Sequence, residues 1–274
     1  MKKEIKVLDH GYVKYIDHMG SDQAVIEAAR MSVNKGFQDW ERDAELLEYL
    51  YANKHMTPFE CGGELQIEVY APIFVFRQWH RHRTASINEI SARYSELPNE
   101  CYLPEESHLN VQSDTNKQGR GDLFYQESAK QILDSMEEDQ KLAFNSYGQY
   151  LNQDVAREIA RINLPVSTYS EMYWKMNLHN MFHFLGLRMH SHAQYEIRQY
   201  ANAMFDLIKP IFPLSCEAFE EYRLNASGFS QTEMEILRES IDYSKLQSLL
   251  EGKSKLSKRE VDELKQKLMV EKDA

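Results

Sequence analysis

No apolar run in this sequence approaches the roughly 20 residues that a membrane-crossing helix needs. Cysteine is scarce: Cys61, Cys101 and Cys216 are odd in number and far apart, which excludes a disulfide framework and a CxxC zinc site. There is no G-x-G-x-x-G. Gly119-x-Gly121 comes nearest, in a polar stretch with no strand before it, so a Rossmann dinucleotide domain is unsupported. An H-E-x-x-H zinc helix is also missing, as are an RRM or KH pattern and any repeat that would build a solenoid. Basic residues are in deficit, with 32 Lys and Arg against 43 Asp and Glu and a net charge of −11. That field repels phosphate and argues against a protein that wraps duplex nucleic acid. The basic start, Met1-Lys2-Lys3, has no apolar segment behind it and does not read as a signal peptide. The chain reads as soluble and cytoplasmic.

What is present is enough for a substantial core, since 42% of the 274 residues are apolar and 27% charged. Short strand-like pieces occupy 4–17, and a helix is expected from Asp22, as N-cap, to Ala29. Another runs from Asp43 to Asn53. Thr57-Pro58-Phe59-Glu60 has the form of a helix start with Thr57 as cap. Leu65, Ile67 and Val69 alternate with polar residues as a half-buried strand does, Pro72 ends it, and 73–79 is expected to be helical. Residues 104–122 read as a long polar surface loop. Helices are expected at 124–151, 153–161 and 169–186, the last opened by a Thr168-x-x-Glu171 capping box. One more, Ser191 to Lys209, places Ile197, Tyr200, Ala201, Met204, Phe205 and Ile208 on one face. In the last 24 residues 13 are charged, so the tail reads as a solvated helix. Strands in front and long helices behind give an α+β fold with a small mixed or antiparallel sheet. The expected division is a main domain at 1–225 and a charged helical extension at 226–274.

Chemistry concentrates in one place. Between 77 and 93 stand four arginines (Arg77, Arg81, Arg83, Arg93) and one acid, Glu89. Such a cluster repels itself unless an anion or surplus carboxylates sit in it, and arginine suits phosphate in particular. Thr84 to Ser95 then adds hydroxyls, an amide and a carboxylate, groups that fit the phosphate and ribose of a nucleotide. Ser86-x-x-Glu89 also matches a capping box, a purely structural alternative.

Arg81-His82-Arg83, followed after seven residues by Ser91 within RHRTASINEISARYS, resembles the RHR-x7-S motif of flavin-dependent thymidylate synthases. Supporting segments span about 20–225: Ala-Arg-Met-Ser at 29–32, HMTPFE at 55–60, APIFVFRQW at 71–79, REIARINLP at 157–165 and NLHNMFHFLGLRMHSHAQYEIRQYA at 177–201. The resemblance implies a homotetramer that converts dUMP to dTMP. Carbon would come from methylenetetrahydrofolate and hydride from NADPH through FAD. It implies a dUMP site made by Gln78, Arg81, Glu89, Ser91, Arg93, Arg161 and Arg188, with Trp79, His80, Ile90 and Ala92 in the same segments. Ser91 and Arg93 would lie near the phosphate, and Arg188 would help ionise the uracil ring. It implies an FAD site, not of Rossmann type, made by Thr57, Arg81, His82, Arg83, Asn88, Glu89, Asn177, His179, His183 and His192, with Ser32 at the adenosine end. His55 would lie on the flavin and folate side. His179 and His183 stand where other members carry Arg and Asn.

A fixed guanidinium stabilises negative charge developing on a uracil ring in a dry site. No cysteine nucleophile is implied, and none of the three cysteines has the basic surroundings that make a thiolate; Cys216 reads as structural. Two other readings compete. A metal enzyme would use the His179/His183 and His192/Glu196 pairs, each on one helical face. An RNA-binding module would use the arginines with Trp79 and Tyr94 as stacking surfaces. The reading adopted has small-molecule partners only, with no metal, nucleic acid or membrane.

Overall fold

The computed structural model describes residues 3–115, 117, 119–252 and 256–268. Met1-Lys2, residues 116 and 118 of the polar 104–122 stretch, and 253–255 and 269–274 of the charged tail lie outside the described residues. Two compact units divide the chain, 1–225 and 226–274.

The first unit opens with β1 (Glu4–Val7), β2 (Gly11–Gly20), α1 (Asp22–Arg30), α2 (Trp40–Ala52), α3 (Thr57–Gly62), β3 (Gly63–Pro72) and α4 (Ile73–Trp79). It continues with β4 (Ser86–Glu89), a hairpin of β5 (Asn110–Gln112) and β6 (Arg120–Leu123), then α5 (Gln126–Asn152) and α6 (Arg157–Ala160). It closes with β7 (Tyr169–Asn177), α7 (Leu178–Arg188), α8 (Tyr195–Ile208) and α9 (Pro213–Phe219). The second unit holds α10 (Gln231–Ser240), α11 (Tyr243–Gly252) and α12 (Lys258–Leu268). Its first helix is closed by a full capping box between Ser230 and Glu233, and Arg238 donates to the Lys267 carbonyl.

Five strands form one sheet in the order β1-β2-β3-β7-β4, every pair antiparallel. The fold is therefore α+β with small antiparallel sheets and many helices. Alternation sets the register: Leu65, Ile67 and Val69 of β3 stand opposite Met176, Trp174 and Met172 of β7, and all six are buried. The apolar stripe of α8 is buried at all six expected positions, from Ile197 to Ile208.

Several expectations are corrected. Residues 169–186 are not one helix. Tyr169 to Asn177 form a strand, Thr168-x-x-Glu171 is no capping box, and the helix starts only where the Asn177 side chain accepts the Asn180 N–H at 3.0 Å. Ser86 to Glu89 form β4 rather than a helix start or irregular stretch. The expected helix at 153–161 shrinks to the single turn of α6, because Asp154 takes a left-handed conformation (φ 58°) after α5. The 104–122 loop contains the β5–β6 hairpin. Ser21, not Asp22, caps α1, and Met56, not Thr57, precedes α3. The buried Asp22 carboxylate instead receives the Leu214 and Ser215 N–H groups (2.8 and 3.1 Å) at the start of α9. Burial holds its pKa above the usual carboxylate range.

One close approach brings the end of α3 against the end of β2. Gly20 has φ +83°, and a Cβ there would meet the Gly62 carbonyl oxygen at 1.9 Å. Only glycine meets both conditions at the end of β2.

Candidate functional site

Turn hydrogen bonds carry helix α4 into the arginine-rich segment: His80 N donates to the Phe76 carbonyl and His82 N to that of Trp79. Trp79 is fully buried against Trp174 and Phe184, which anchors the segment and turns Arg81 and Arg83 to solvent. The Trp79 side chain thus cannot be a stacking surface or a substrate contact, and only its main chain is left for a nucleotide. Buried Ala92 stands likewise, whereas Ile90 is exposed.

His82 is 7% exposed and packs edge-on against Phe184, with the His183 ring 5.9 Å away. The guanidinium of Arg188, at the end of α7, reaches it. Arg188 Nε donates to His82 Nε2 at 3.0 Å and Arg188 Nη2 donates to the Gln78 carbonyl at 3.1 Å. Guanidinium only donates, so His82 must accept through Nε2, which puts the imidazole proton on Nδ1. Burial, then the Arg188 charge, then His183 push the His82 pKa down to about 4. Burial also lowers that of Arg188, and no carboxylate among the described residues pairs with it.

These shifts carry a stability consequence. The unfolded chain takes up a proton on His82 near its ordinary 6.5, whereas the folded chain resists until about 4. Stability is therefore full above about pH 6.5 and declines as pH falls towards 4, by at most about 3 kcal/mol. Urea denaturation at pH 7.5 and pH 5 is expected to give a smaller difference for His82→Gln, whose amide oxygen accepts from Arg188 without titrating. An unchanged difference would remove His82 from that role.

A second group lies on β4 and β7. Ser170 Oγ donates to Glu89 at 2.7 Å, and His80 Nε2 stands 3.8 Å from the same carboxylate, buried and without a hydrogen bond. Asn88 lines a pocket of about 240 Å³ with Tyr173 and Lys175. Beyond β4, the Ile90 N–H pairs with the Glu171 carbonyl, Ser91 Oγ accepts the Arg93 N–H at 3.3 Å, and Arg93 pairs with Glu158 of α6 at 3.0 Å. Arg161 follows α6 directly, half-buried, among the exposed Ile159, Ile162 and Val166. No hydrogen bond or ion pair among the described residues joins Ser91, Arg93 or Arg161 to Arg188.

A third group lines a pocket of about 370 Å³ between α1, α2 and α3, within the usual range for small-molecule sites. Ser32, His55 and Thr57 lie on it, beside Tyr49, Leu50 and Cys61. Its walls are tied by a pair absent from the sequence expectations. Fully buried Asp43 of α2 accepts Arg30 Nε at 3.0 Å and the Gln38 N–H at 2.8 Å, and also receives Arg30 Nη2. These hydrogen bonds hold its pKa low although burial alone would raise it. At the start of α7, Asn177 serves as a cap, and His179 faces Glu60 of α3 at 3.8 Å while its Nδ1 is buried without a partner. Exposed His192 packs edge-on against His190, and no hydrogen bond or ion pair among the described residues joins it to the other groups.

The His192/Glu196 pair considered for a metal does not form: Glu196 is buried and taken up by Arg120, Tyr102 and Gln194. Among the described residues no three His, Cys, Asp or Glu side chains converge as a metal site. Cys216 is buried and its thiol pKa raised by that burial, which makes it inert as a nucleophile; burial also raises that of Cys101. No helix among the described residues is long and apolar enough to cross a membrane.

Residues 14–214 match the family model described as thymidylate synthase complementing protein. The chain is 47% identical over 262 residues to the flavin-dependent thymidylate synthase of Wolbachia pipientis wMel, covering 96% of this chain and 91% of that one. It is 44% identical to the enzyme of the same description from Treponema denticola, with 98% of each covered. Among solved structures, the UMP/dUMP methylase PolB of Streptomyces cacaoi, bound with 5-Br dUMP, superposes with a TM-score of 0.72 at 34% identity. That match covers 80% of this chain and 99% of PolB.

Proposed function

The chain belongs to the flavin-dependent thymidylate synthase family, and we propose that it methylates dUMP to dTMP with the division of labour that follows. Methylenetetrahydrofolate supplies the carbon and NADPH the hydride. The observation that carries this reading is Arg188: a half-buried guanidinium, fixed by His82 and the Gln78 carbonyl, with no carboxylate among the described residues to neutralise it. What such a group lacks is negative charge, and a uracil ring polarised for reaction at C5 develops it. Neutral His82 orients the cation without competing for that charge.

The residues fit FAD. His179 carries a buried nitrogen with no partner, and the pocket with Ser32, His55 and Thr57 presents hydroxyl and imidazole groups at its wall. These, with Arg81, His82, Arg83, Asn88, Glu89, Asn177, His183 and His192, would hold the cofactor. Bound there, FAD would carry hydride from NADPH. On the substrate side, Ser91, Arg93 and Arg161 would hold the phosphate, Glu89 a ribose hydroxyl, and Gln78, Arg81 and Arg188 the rest of the nucleotide. No hydrogen bond or ion pair among the described residues joins Ser91, Arg93 or Arg161 to Arg188, and we read the two groups as halves of a dUMP site that would meet between subunits of a homotetramer. Exposed Ile159, Ile162 and Val166 beside Arg161 support that arrangement. Residues 1–225 would form the catalytic domain, consistent with a family match that ends at 214.

The test is a visible absorption spectrum of protein incubated with FAD, then reduced anaerobically by NADPH with and without dUMP. Bound flavin that bleaches, and dTMP formed once methylenetetrahydrofolate is added, is the expected result. Absence of flavin binding in excess FAD would overturn the reading. Ser91→Ala is expected to weaken dUMP binding about tenfold, the worth of one hydrogen bond to a charged group, and to leave FAD affinity unchanged. Calorimetric titration of both ligands checks this, and unchanged dUMP affinity would move the phosphate elsewhere.

A further inference from the structure

Glu196 of α8 is 2% exposed, yet it is held in its charged form, chiefly by the hydrogen bond from Arg120. Three side chains converge on it, and one of them, Gln194, carries the network on to Gln78. Arg120, on the β5–β6 hairpin, donates through Nη2 to Glu196 Oε1 at 2.5 Å, and Tyr102 donates to the same oxygen at 3.0 Å. Gln194 Nε2 donates to Glu196 Oε2 at 2.9 Å. Gln78 Nε2 in turn donates to Gln194 Oε1. The Arg120 end is itself anchored: its Nη1 donates to the His108 carbonyl at 3.2 Å, and its guanidinium lies over the Tyr195 ring.

The direction of this chain is forced by chemistry. A carboxylate only accepts, so Gln194 must turn its NH2 towards Glu196 and its oxygen towards Gln78. Gln78 must then turn its own NH2 towards Gln194. Of the two faces an amide can show a ligand, one is chosen, and Gln78 is left with its carbonyl oxygen and one N–H. The Gln78 main-chain carbonyl also receives Arg188, so one residue joins this chain to the unneutralised guanidinium.

We propose that Arg120, Glu196 and Gln194 are positioning residues for dUMP: the Arg120–Glu196 pair fixes the amide of Gln194, which fixes the amide of Gln78 at the nucleotide. Arg120 lies in the hairpin, outside the RHR block, and brings that otherwise polar stretch into substrate recognition. The proposal rests on the reading that Gln78 touches dUMP, so the experiment separates the two. Parent, Gln78→Ala, Gln194→Met, Arg120→Met and Arg120→Lys proteins are loaded with FAD. Each is titrated with dUMP calorimetrically and assayed for kcat and for KM at varied dUMP. Gln194→Met breaks the chain while leaving Arg120, Tyr102 and Glu196 together, so it carries the test if Arg120→Met fails to fold.

The expected result for Gln194→Met and Arg120→Met is a dUMP affinity about five- to tenfold weaker and a KM raised by the same factor, the worth of one well-made hydrogen bond. FAD affinity and kcat stay within about twofold, a KM-against-kcat split that reports lost binding rather than general damage. Arg120→Lys restores most of the dUMP affinity, since it keeps the charge beside Glu196. If Gln78→Ala weakens dUMP binding while Gln194→Met does not, the relay is wrong and the site reading stands. If Gln78→Ala leaves dUMP binding unchanged, the premise falls and the relay with it. A loss shared equally between dUMP and FAD also overturns it.

Discussion

Replacing Arg188 by alanine is expected to lower kcat for dTMP formation by about 10²- to 10³-fold, the usual loss when one fixed donor to developing charge is removed. Two N–H groups of the Arg188 guanidinium are committed, one to His82 Nε2 at 3.0 Å and one to the Gln78 carbonyl at 3.1 Å, and no carboxylate among the described residues neutralises it. In the proposed site the rest of this half-buried cation would face substrate, where low dielectric would strengthen its effect on a ring that is becoming negative. Alanine removes that charge and leaves the His82 acceptor and the Gln78 carbonyl without their donor, a stability loss of about 1–3 kcal/mol that the fold can absorb. Bound FAD, read from its visible absorbance, is expected to persist. Arg188→Lys is expected to fall between, because a point charge cannot reach His82 and Gln78 in one plane. Steady-state dTMP formation by a flavin-loaded variant at near-parental rate would refute the assignment.

Arg30→Met is expected to cost about 3–5 kcal/mol in stability, the range for breaking a buried ion pair from one side. Asp43 is fully buried and spends its carboxylate on Arg30 and the Gln38 N–H, so without Arg30 most of its charge is uncompensated. The loss reaches function because the pair joins α1 to α2. Ala28, Ala29 and Ser32 on one side and Tyr49 and Leu50 on the other wall the same pocket. FAD affinity is therefore expected to fall together with the urea midpoint. The double variant Arg30→Met, Asp43→Leu removes both charges and is expected to regain much of the stability, since an apolar pair of similar volume is often no worse than the ions. A double variant no more stable than the single one would show that Asp43 acts through its backbone contact instead.

How much of this was legible in the sequence depends on the length scale of each signal. The α8 stripe and the β3 alternation are local periodicities, and both appear in the structure where the spacing puts them. Tyr169 to Asn177 misled because Thr168-x-x-Glu171 imitates a helix start. The strand is decided by pairing with β3, about a hundred residues away, which no local pattern reports. The alternation of Met172, Trp174 and Met176 with exposed Tyr173 and Lys175 was the signal available. The arginine block was legible because its composition breaks with an acidic chain. Asp43 and Ser170 were not read as parts of the site, and Glu196 only as a partner of His192 in the metal alternative, since each is held by a partner distant in sequence. Trp79 shows the opposite limit: membership in a motif does not say which way a side chain faces.

Arg77, Arg81 and Arg83 are exposed and take part in no ion pair among the described residues, within a chain of net charge −11. In kinetic terms such an island is a funnel. A dianionic nucleotide would be repelled over most of the surface and attracted at one place, and with the proposed site there its productive encounters would be concentrated at it. The attraction acts within a Debye length of about 8 Å at physiological salt, so arrival slows as ionic strength rises. If the nucleotide binds there, acidity elsewhere would sharpen the target, and the charge imbalance that looked hostile to a phosphate ligand would direct it to its site.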